Sequence, residues 1–204
     1  MKIIRLTKAD FSNAVKEAAA ILKLGGIVVF PTETSYGIAA DALNESAVNK
    51  VHDAKKQSHD KPISVIVADE KQLDTIAEVN AEAVKLMKKF MPGALTLIVE
   101  KKPIVPNALT QNEIAFRISS NRFAHALAKK FGGAITATSA NIHGEPAIFS
   151  GKDAASVFSN SVDLVIDAGI LPLAKASTIY CVVRHELLRE GEIKKDKIEK
   201  CVVE

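Results

Sequence analysis

The sequence predicts an α/β (α+β) domain built on a twisted, mixed parallel and antiparallel sheet with flanking helices. Short β-branched apolar runs alternate along the chain with segments of helical, 3.6-residue hydrophobic period. No repeat, low-complexity tract or linker interrupts that alternation, so residues 1–204 read as one domain. With 48% apolar residues and no tryptophan, the core is expected to be aliphatic.

The elements follow in order. Ile3–Leu6 reads as a first strand. Asp10 or Ser12 can cap a helix carrying Val15, Ala18, Ala19 and Leu22 on one face, ended by Gly25-Gly26. Ile27–Phe30 is a short apolar strand, and Pro31, lacking an N–H, is expected to stop its ladder. A hydroxyl-rich loop follows: Thr32, Thr34, Ser35 and Tyr36 around one acid, Glu33, up to Gly37. Asn44 caps a short helix that runs into the polar loop Lys55–Pro62. Ile63–Val67 is a strand, Asp69 caps a helix to about Ala77, and Asn80 opens another with Ala83, Val84, Met87 and Phe90 inward.

Met91-Pro92-Gly93 breaks that helix before the strand Leu95–Val99. After a Pro-containing loop, Ile114–Ile118 is a strand with Arg117 near its end. Asn121 caps a helix closed by Gly132-Gly133, and Ile135–Thr138 is a strand opening onto a polar turn through Pro146. Ser150 caps a helix, and Leu164–Asp167 is a strand. Ile179–Val183 and His185–Arg189 read as a hairpin. The charged tail Glu192–Glu204 is compatible with a helix or a strand.

Composition narrows the function classes. A net charge of +3 suits an anionic ligand but lacks the basic bias of a dedicated nucleic-acid binder. Cys181 and Cys201 have no metal-type spacing and read as reduced thiols, with one late disulfide as the alternative. No apolar run reaches membrane-spanning length, and no signal segment opens the chain, so a cytoplasmic protein without membrane contact is expected.

Polar clusters stand where strands end, the usual ligand position in open α/β sheets: Thr32–Tyr36, Lys55–Lys61, Thr138–Asn141, and Ser177-Thr178 with Arg189. Arg117 adds a cation at another strand end. Each has a plain structural reading as well. Lysines at a helix end oppose its dipole, Ser139 and Asn141 form turns, Arg117 can pair with a surface acid, and loop hydroxyls bond to nearby backbone. There is no phosphate loop, dinucleotide fingerprint, paired histidine spacing or nucleophile elbow.

PTETSYGIAADAL, AKKQSHDKPIS, MPGALTLIV, IAFRIS, ATSANIHGEPA, STIY and LLREGEI occur in this order from about Gly25 to Gly191. This series resembles the YrdC/Sua5 (TsaC) family, the threonylcarbamoyl-AMP synthases, in its single-domain form. The resemblance implies a curved α/β sheet around a basic concave cavity. It also implies that L-threonine, bicarbonate and ATP, with Mg²⁺, give threonylcarbamoyl-AMP and pyrophosphate. That product would feed the t6A modification of tRNA through partner proteins. The reaction needs no covalent nucleophile, only positioning and charge stabilisation away from water.

The family's roles fall on particular residues here. Thr34, with Thr32, Tyr36 and Ala137 along the wall, would contact threonine, Arg117 would hold its carboxylate, and Ser177 would close the pocket. Lys55 would face the triphosphate with Lys61 nearby, and Ser139 and Asn141 would donate hydrogen bonds to nucleotide and reacting groups. Arg189 would reach the phosphates, and Glu113 and Ala147 would touch nucleotide. The family's loop usually reads Lys-x-Arg, whereas Lys55-Lys56 is followed here by Gln57; Lys56 is expected to compensate in ATP binding. Two other classes compete: a protein that binds tRNA or double-stranded RNA without synthase activity, and carbamoyl transfer as in hydrogenase-maturation HypF proteins. The second would need acylphosphatase and zinc-finger segments for which this chain has no room.

Overall fold

The computed structural model describes residues 1–203. The chain runs β1 (Lys2–Arg5), α1 (Phe11–Lys23), β2 (Val28–Pro31), β3 (Tyr36–Ala39), α2 (Glu45–Lys55), β4 (Val65–Ile66), α3 (Glu70–Leu73) and β5 (Ala77–Glu78). It continues through α4 (Ala81–Phe90), β6 (Leu95–Lys101), β7 (Glu113–Arg117), α5 (Arg122–Phe131), β8 (Ile135–Thr136) and β9 (Thr138–Ser139). The last elements are α6 (Gly151–Val157), β10 (Leu164–Asp167), β11 (Thr178–Cys181), β12 (Glu186–Arg189) and α7 (Lys195–Val203), so that residues 195–203 of the charged tail are helical.

The strands hydrogen-bond as two mixed sheets. One has the order β1-β10-β2-β3-β9; the other runs β12-β11-β6-β7-β4-β8, with β5 added to β6. The expected strand over Ile135–Thr138 divides to join them. Ile135-Thr136 pairs with β4 in the larger sheet, and Thr138-Ser139 pairs with β3 in the smaller. Ala137 is the residue at which the chain changes sheets. Thr136 Oγ1 ties the seam, accepting from Ala40 N–H and donating to the Ile38 carbonyl.

The structure refines four further expectations. Pro31 ends its ladder as expected, but from inside the strand, as the last paired residue opposite Tyr36. Its missing N–H is not needed there, because Thr32 N–H closes the reversal onto the Ser35 carbonyl. The stretch after Ser35, read as loop, is a second buried strand, making β2 and β3 a hairpin whose four-residue tip is Thr32–Ser35. The helix begun at Asp69 is one short turn, and the inward stripe of α4 is Ala83, Leu86 and Met87 with Phe90 partly buried against the same core, Leu86 standing where Val84 was expected.

The local signals that hold are capping signals. Asn44, Asp69, Asn80, Asn121 and Ser150 each accept a backbone N–H of the first helical turn. Each satisfies a donor that the helix start leaves free. β2 is buried on both faces, which is why it reads as an unbroken apolar run. Val28 and Phe30 pack under α1 and α5 with Leu22, Phe123 and Leu127. Val29 and Ile38 belong to the larger core with Val48, Leu97 and Phe116. Cys181 and Cys201 are both buried free thiols. Among the described residues, no helix is long and apolar enough to cross a membrane.

Candidate active site

A cavity of about 500 Å³ opens between the face of the larger sheet and the hairpin tip of the smaller one. That volume is in the range of small-molecule sites. Its floor follows the period-2 rule of strands. Thr96 and Ile98 of β6, Ala115 and Arg117 of β7, and Ile179 of β11 turn into the cavity, while Leu95, Leu97, Ile114 and Phe116 turn into the core. The walls are Thr32, Thr34 and Tyr36 from the hairpin, Ala137 and Ser139 from the seam, and Ser177 and Arg189 from the far edge.

The hairpin tip is held by its own hydroxyls. Thr32 Oγ1 donates to the Ser35 carbonyl at 2.7 Å and accepts the backbone N–H of Thr34 and Ser35. With that proton committed, the 3.1 Å contact between the two threonine hydroxyls has Thr34 donating. The remaining capacity of the Thr34 hydroxyl is as an acceptor. Tyr36 is fully buried and supports the wall: its hydroxyl donates to the Gly169 carbonyl and accepts Ala168 N–H, both at 2.9 Å. Burial is the main reason its pKa rises to about 12, with Asp167 adding to the rise and the Ala168 N–H opposing it. Its hydroxyl is therefore committed, and only its ring serves the cavity.

Arg117 is the buried cation of the floor. Its Nε lies 3.1 Å from Glu33 Oε1, and its terminal nitrogens have no protein partner among the described residues. Burial lowers its proton affinity and Glu33 restores part of it. Arg189 stands at the rim, its Nε donating to the Ser177 carbonyl at 3.0 Å and its Nη2 to Ser177 Oγ at 3.1 Å. Ser177 Oγ also lies 2.8 Å from Thr96 Oγ1. Burial and then the charge of Arg117 lower the proton affinity of Arg189. Two guanidiniums that feel each other across one cavity call for an anion between them.

Lys55, expected to face the triphosphate, is not among the residues that line the cavity. It ends α2 and is 3% exposed. Its Nζ donates to the Ser139 carbonyl, to the Asn141 carbonyl at 2.9 Å and to Asn141 Oδ1 at 3.4 Å. Its own carbonyl accepts His143 N–H at 2.8 Å. Burial pulls the ammonium down to about 8. Lys55 thus clasps the loop that carries Ser139 and Asn141 from behind. Asn141 is equally committed, its Nδ2 donating to the Ile142 and Glu145 carbonyls and its Oδ1 accepting from Ser139 Oγ. Its amide therefore builds the wall, and Ser139 Oγ offers only acceptor capacity.

The other expected nucleotide contacts fall differently. Ala147 lines the cavity. Lys56, expected to compensate for the arginine, is the exposed, left-handed cap of α2 (φ 50°) and does not line the cavity. Gln57 is turned to the core: its Nε2 donates to His52 Nδ1 at 3.0 Å, leaving Nε2 of the buried His52 to donate to the Ala108 carbonyl at 3.0 Å. The departure from Lys-x-Arg therefore completes a buried histidine. Lys61 is exposed and bonded to His143 Nε2 at 2.6 Å. Glu113 does not line the cavity: it begins the strand that Arg117 ends, about 13 Å distant, and its carboxylate accepts from Arg184.

Some residues of the site carried no expectation. Thr96 is the one polar side chain in Leu95–Val99, and Ala115 shares the face of Arg117; alternation along the strands is the signal that finds them. Glu33 and Ser119 meet behind Arg117 only through tertiary contact. Among the described residues no cluster of acidic, histidine or cysteine side chains could cage a metal ion.

Comparison with known proteins agrees with this architecture. Residues 20–191 match the Sua5/YciO/YrdC family, whose description is telomere recombination. A putative threonylcarbamoyl-AMP synthase of Methanocaldococcus jannaschii is 34% identical over 203 residues, 98% of this chain and 97% of the relative. The threonylcarbamoyl-AMP synthase of Bacillus subtilis is 37% identical over 91% of this chain but 55% of its own length. The crystal structure of Pyrococcus abyssi Sua5 complexed with L-threonine superposes with a TM-score of 0.89 at 33% identity, covering 98% of this chain and 59% of that one. The chain thus spans little more than half of the Bacillus and Pyrococcus proteins.

Proposed function

Because the chain belongs to the Sua5/YciO/YrdC family, we propose that it is a threonylcarbamoyl-AMP synthase acting as one catalytic domain in the cytoplasm. The substrates are L-threonine, bicarbonate and ATP; the products are threonylcarbamoyl-AMP and pyrophosphate. The observation that carries the reading is the free fork of Arg117 beside the Thr32–Thr34 hydroxyls, with Arg189 opposite. A planar guanidinium with both terminal nitrogens unpaired fits an α-carboxylate. The acceptor face of the Thr34 hydroxyl suits the ammonium or hydroxyl of the same amino acid.

In the reaction, the threonine amine condenses with bicarbonate to a carbamate and water. A carbamate oxygen then attacks the α-phosphorus as pyrophosphate leaves. Arg117 and the hairpin tip hold the amino acid, with Tyr36, Ala137 and Ser177 shaping the walls. Arg189 draws the phosphates to the rim, and Ala147 and Ser139 pack against the nucleotide. Lys55 and Asn141 act through the loop they hold. Mg²⁺, bound with ATP, would offset phosphate charge. The product is an activated anhydride and passes to tRNA-modifying partners for t6A formation. A recessed site of this size suits a small molecule better than an RNA duplex, so the RNA-binding alternative gains nothing from it.

The test is to incubate the pure protein with ATP, Mg²⁺, bicarbonate and labelled amino acids, following pyrophosphate and labelled adenylate. Threonine-dependent adenylate is the expected result. Its absence with every amino acid would refute the assignment.

A further inference from the structure

Glu33 is a buried acid to which the reaction gives no task. An acid at a hairpin tip is ordinarily a solvated turn residue. Here the side chain is only 13% exposed and points behind the cavity, not into it. Ser119 Oγ donates to its Oε2, and the same Ser119 oxygen accepts Asn121 N–H at 3.2 Å, tying it to the start of α5. Its Oε1 faces Arg117 Nε at 3.1 Å, an ion pair without hydrogen-bond alignment, and neither atom has another polar partner among the described residues. Each is the other's counterion.

We propose that Glu33 is the positioning residue for Arg117, holding the guanidinium by its Nε edge so that the terminal nitrogens face the cavity. This inference rests on the reading of the cavity as the amino-acid site. The reason is geometric. A guanidinium offers two edges to a carboxylate: Nε with one Nη, and the two Nη together. A protein carboxylate on the first leaves the second to the ligand. The Arg117 backbone is already fixed, paired with Ile66 and accepting Val67 N–H through its carbonyl. The long side chain keeps its rotational freedom, and Glu33 removes it before the substrate arrives. Glu33 also answers the charge of a cation that is nine-tenths buried, whose loss would leave the other charge uncompensated.

The test combines calorimetric titration with NMR of the Arg117 side chain. Glu33→Ala should weaken L-threonine binding by at least ~10-fold, while ATP binding stays within about threefold. Glu33→Gln, which keeps the side chain's length and its Ser119 contact but not the counter-charge, should recover part of the loss. The Arg117 Nε–H resonance should shift in Glu33→Ala without any ligand present. Equal loss of threonine and ATP binding, with no recovery in Glu33→Gln, would mean a merely structural role and overturn the proposal. Unchanged threonine affinity in Glu33→Ala would do the same. If the wild-type protein bound no L-threonine, the reading of the cavity would fail; an unmoved Nε–H resonance would then refute the pairing independently.

Discussion

Replacing Lys55 by Met sets two comparable energies against each other. The substitution keeps the length of the side chain and removes the ammonium. The carbonyls of Ser139 and Asn141 and the Asn141 Oδ1 lose their shared donor, at roughly 1–3 kcal/mol for each acceptor left dry. Against that, the folded protein no longer buries an ammonium whose pKa is drawn from 10.5 to about 8. This relief is worth up to about 3 kcal/mol at neutral pH. Asn141 Oδ1 keeps its bond from Ser139 Oγ, so two carbonyls are left at roughly 2–6 kcal/mol together, and after the relief the variant should lose up to about 3 kcal/mol of global stability. Catalysis has no such offset, because the loop bearing Ser139 is released. A displacement near 1 Å costs on the order of 10²-fold in rate. The assay is pyrophosphate release beside hydrogen exchange of residues 139–145: kcat/KM should fall by roughly that factor and exchange should quicken. If Lys55→Met kept kcat/KM within about threefold and left exchange unchanged, the clasp would be refuted.

Further outcomes follow from the same contacts. Since the folded pKa of Lys55 lies below its unfolded value, the unfolded chain holds the extra proton between about 8 and 10.5. Its contribution to stability therefore rises with pH across that window, while activity should fall there as the charged clasp is lost; a pH–rate profile of Lys55→Met should lack that limb. Arg117→Lys keeps the charge but not the fork, so threonine KM should rise at least ~10-fold with ATP KM nearly constant; the opposite split would invert the pocket assignment. Lys56→Gly should relieve the left-handed cap of α2 and raise stability by about 0.5–1 kcal/mol in denaturant titration. Gly191→Ala places a Cβ 2.0 Å from the Ala176 carbonyl oxygen. The backbone must then shift beside Ser177, at about 1–3 kcal/mol, and thermal melting should show it.

Much of this protein is local in origin and therefore legible residue by residue. Asn44, Asn80, Asn121 and Ser150 announce their helices because a cap acts within three residues. The apolar run before Pro31 announces a strand buried on both faces. Membership of a family could be read from motifs in series, and Thr34, Arg117, Ser139, Ser177 and Arg189 do converge on one cavity. The residues thus marked most helices and the main strands, and the motif series marked the chemical character of the site, while β3 and the helical state of the tail were not legible.

Tertiary structure decided what each polar group is free to do. Lys55 and Arg117 are both cations beside the predicted site, yet carbonyls from a distant loop occupy the first while the second keeps its fork open. Gln57, which reads as a weakened phosphate ligand, is the partner of a buried histidine. Glu33, which reads as a turn acid, backs Arg117. The physical reason is that a hydrogen-bond donor's availability depends on which acceptors the fold brings within 3 Å. For Lys55 and Arg117 the partners come from more than 80 positions away, beyond the reach of any local pattern, and even His52, five residues before Gln57, meets it only because the helix end folds back.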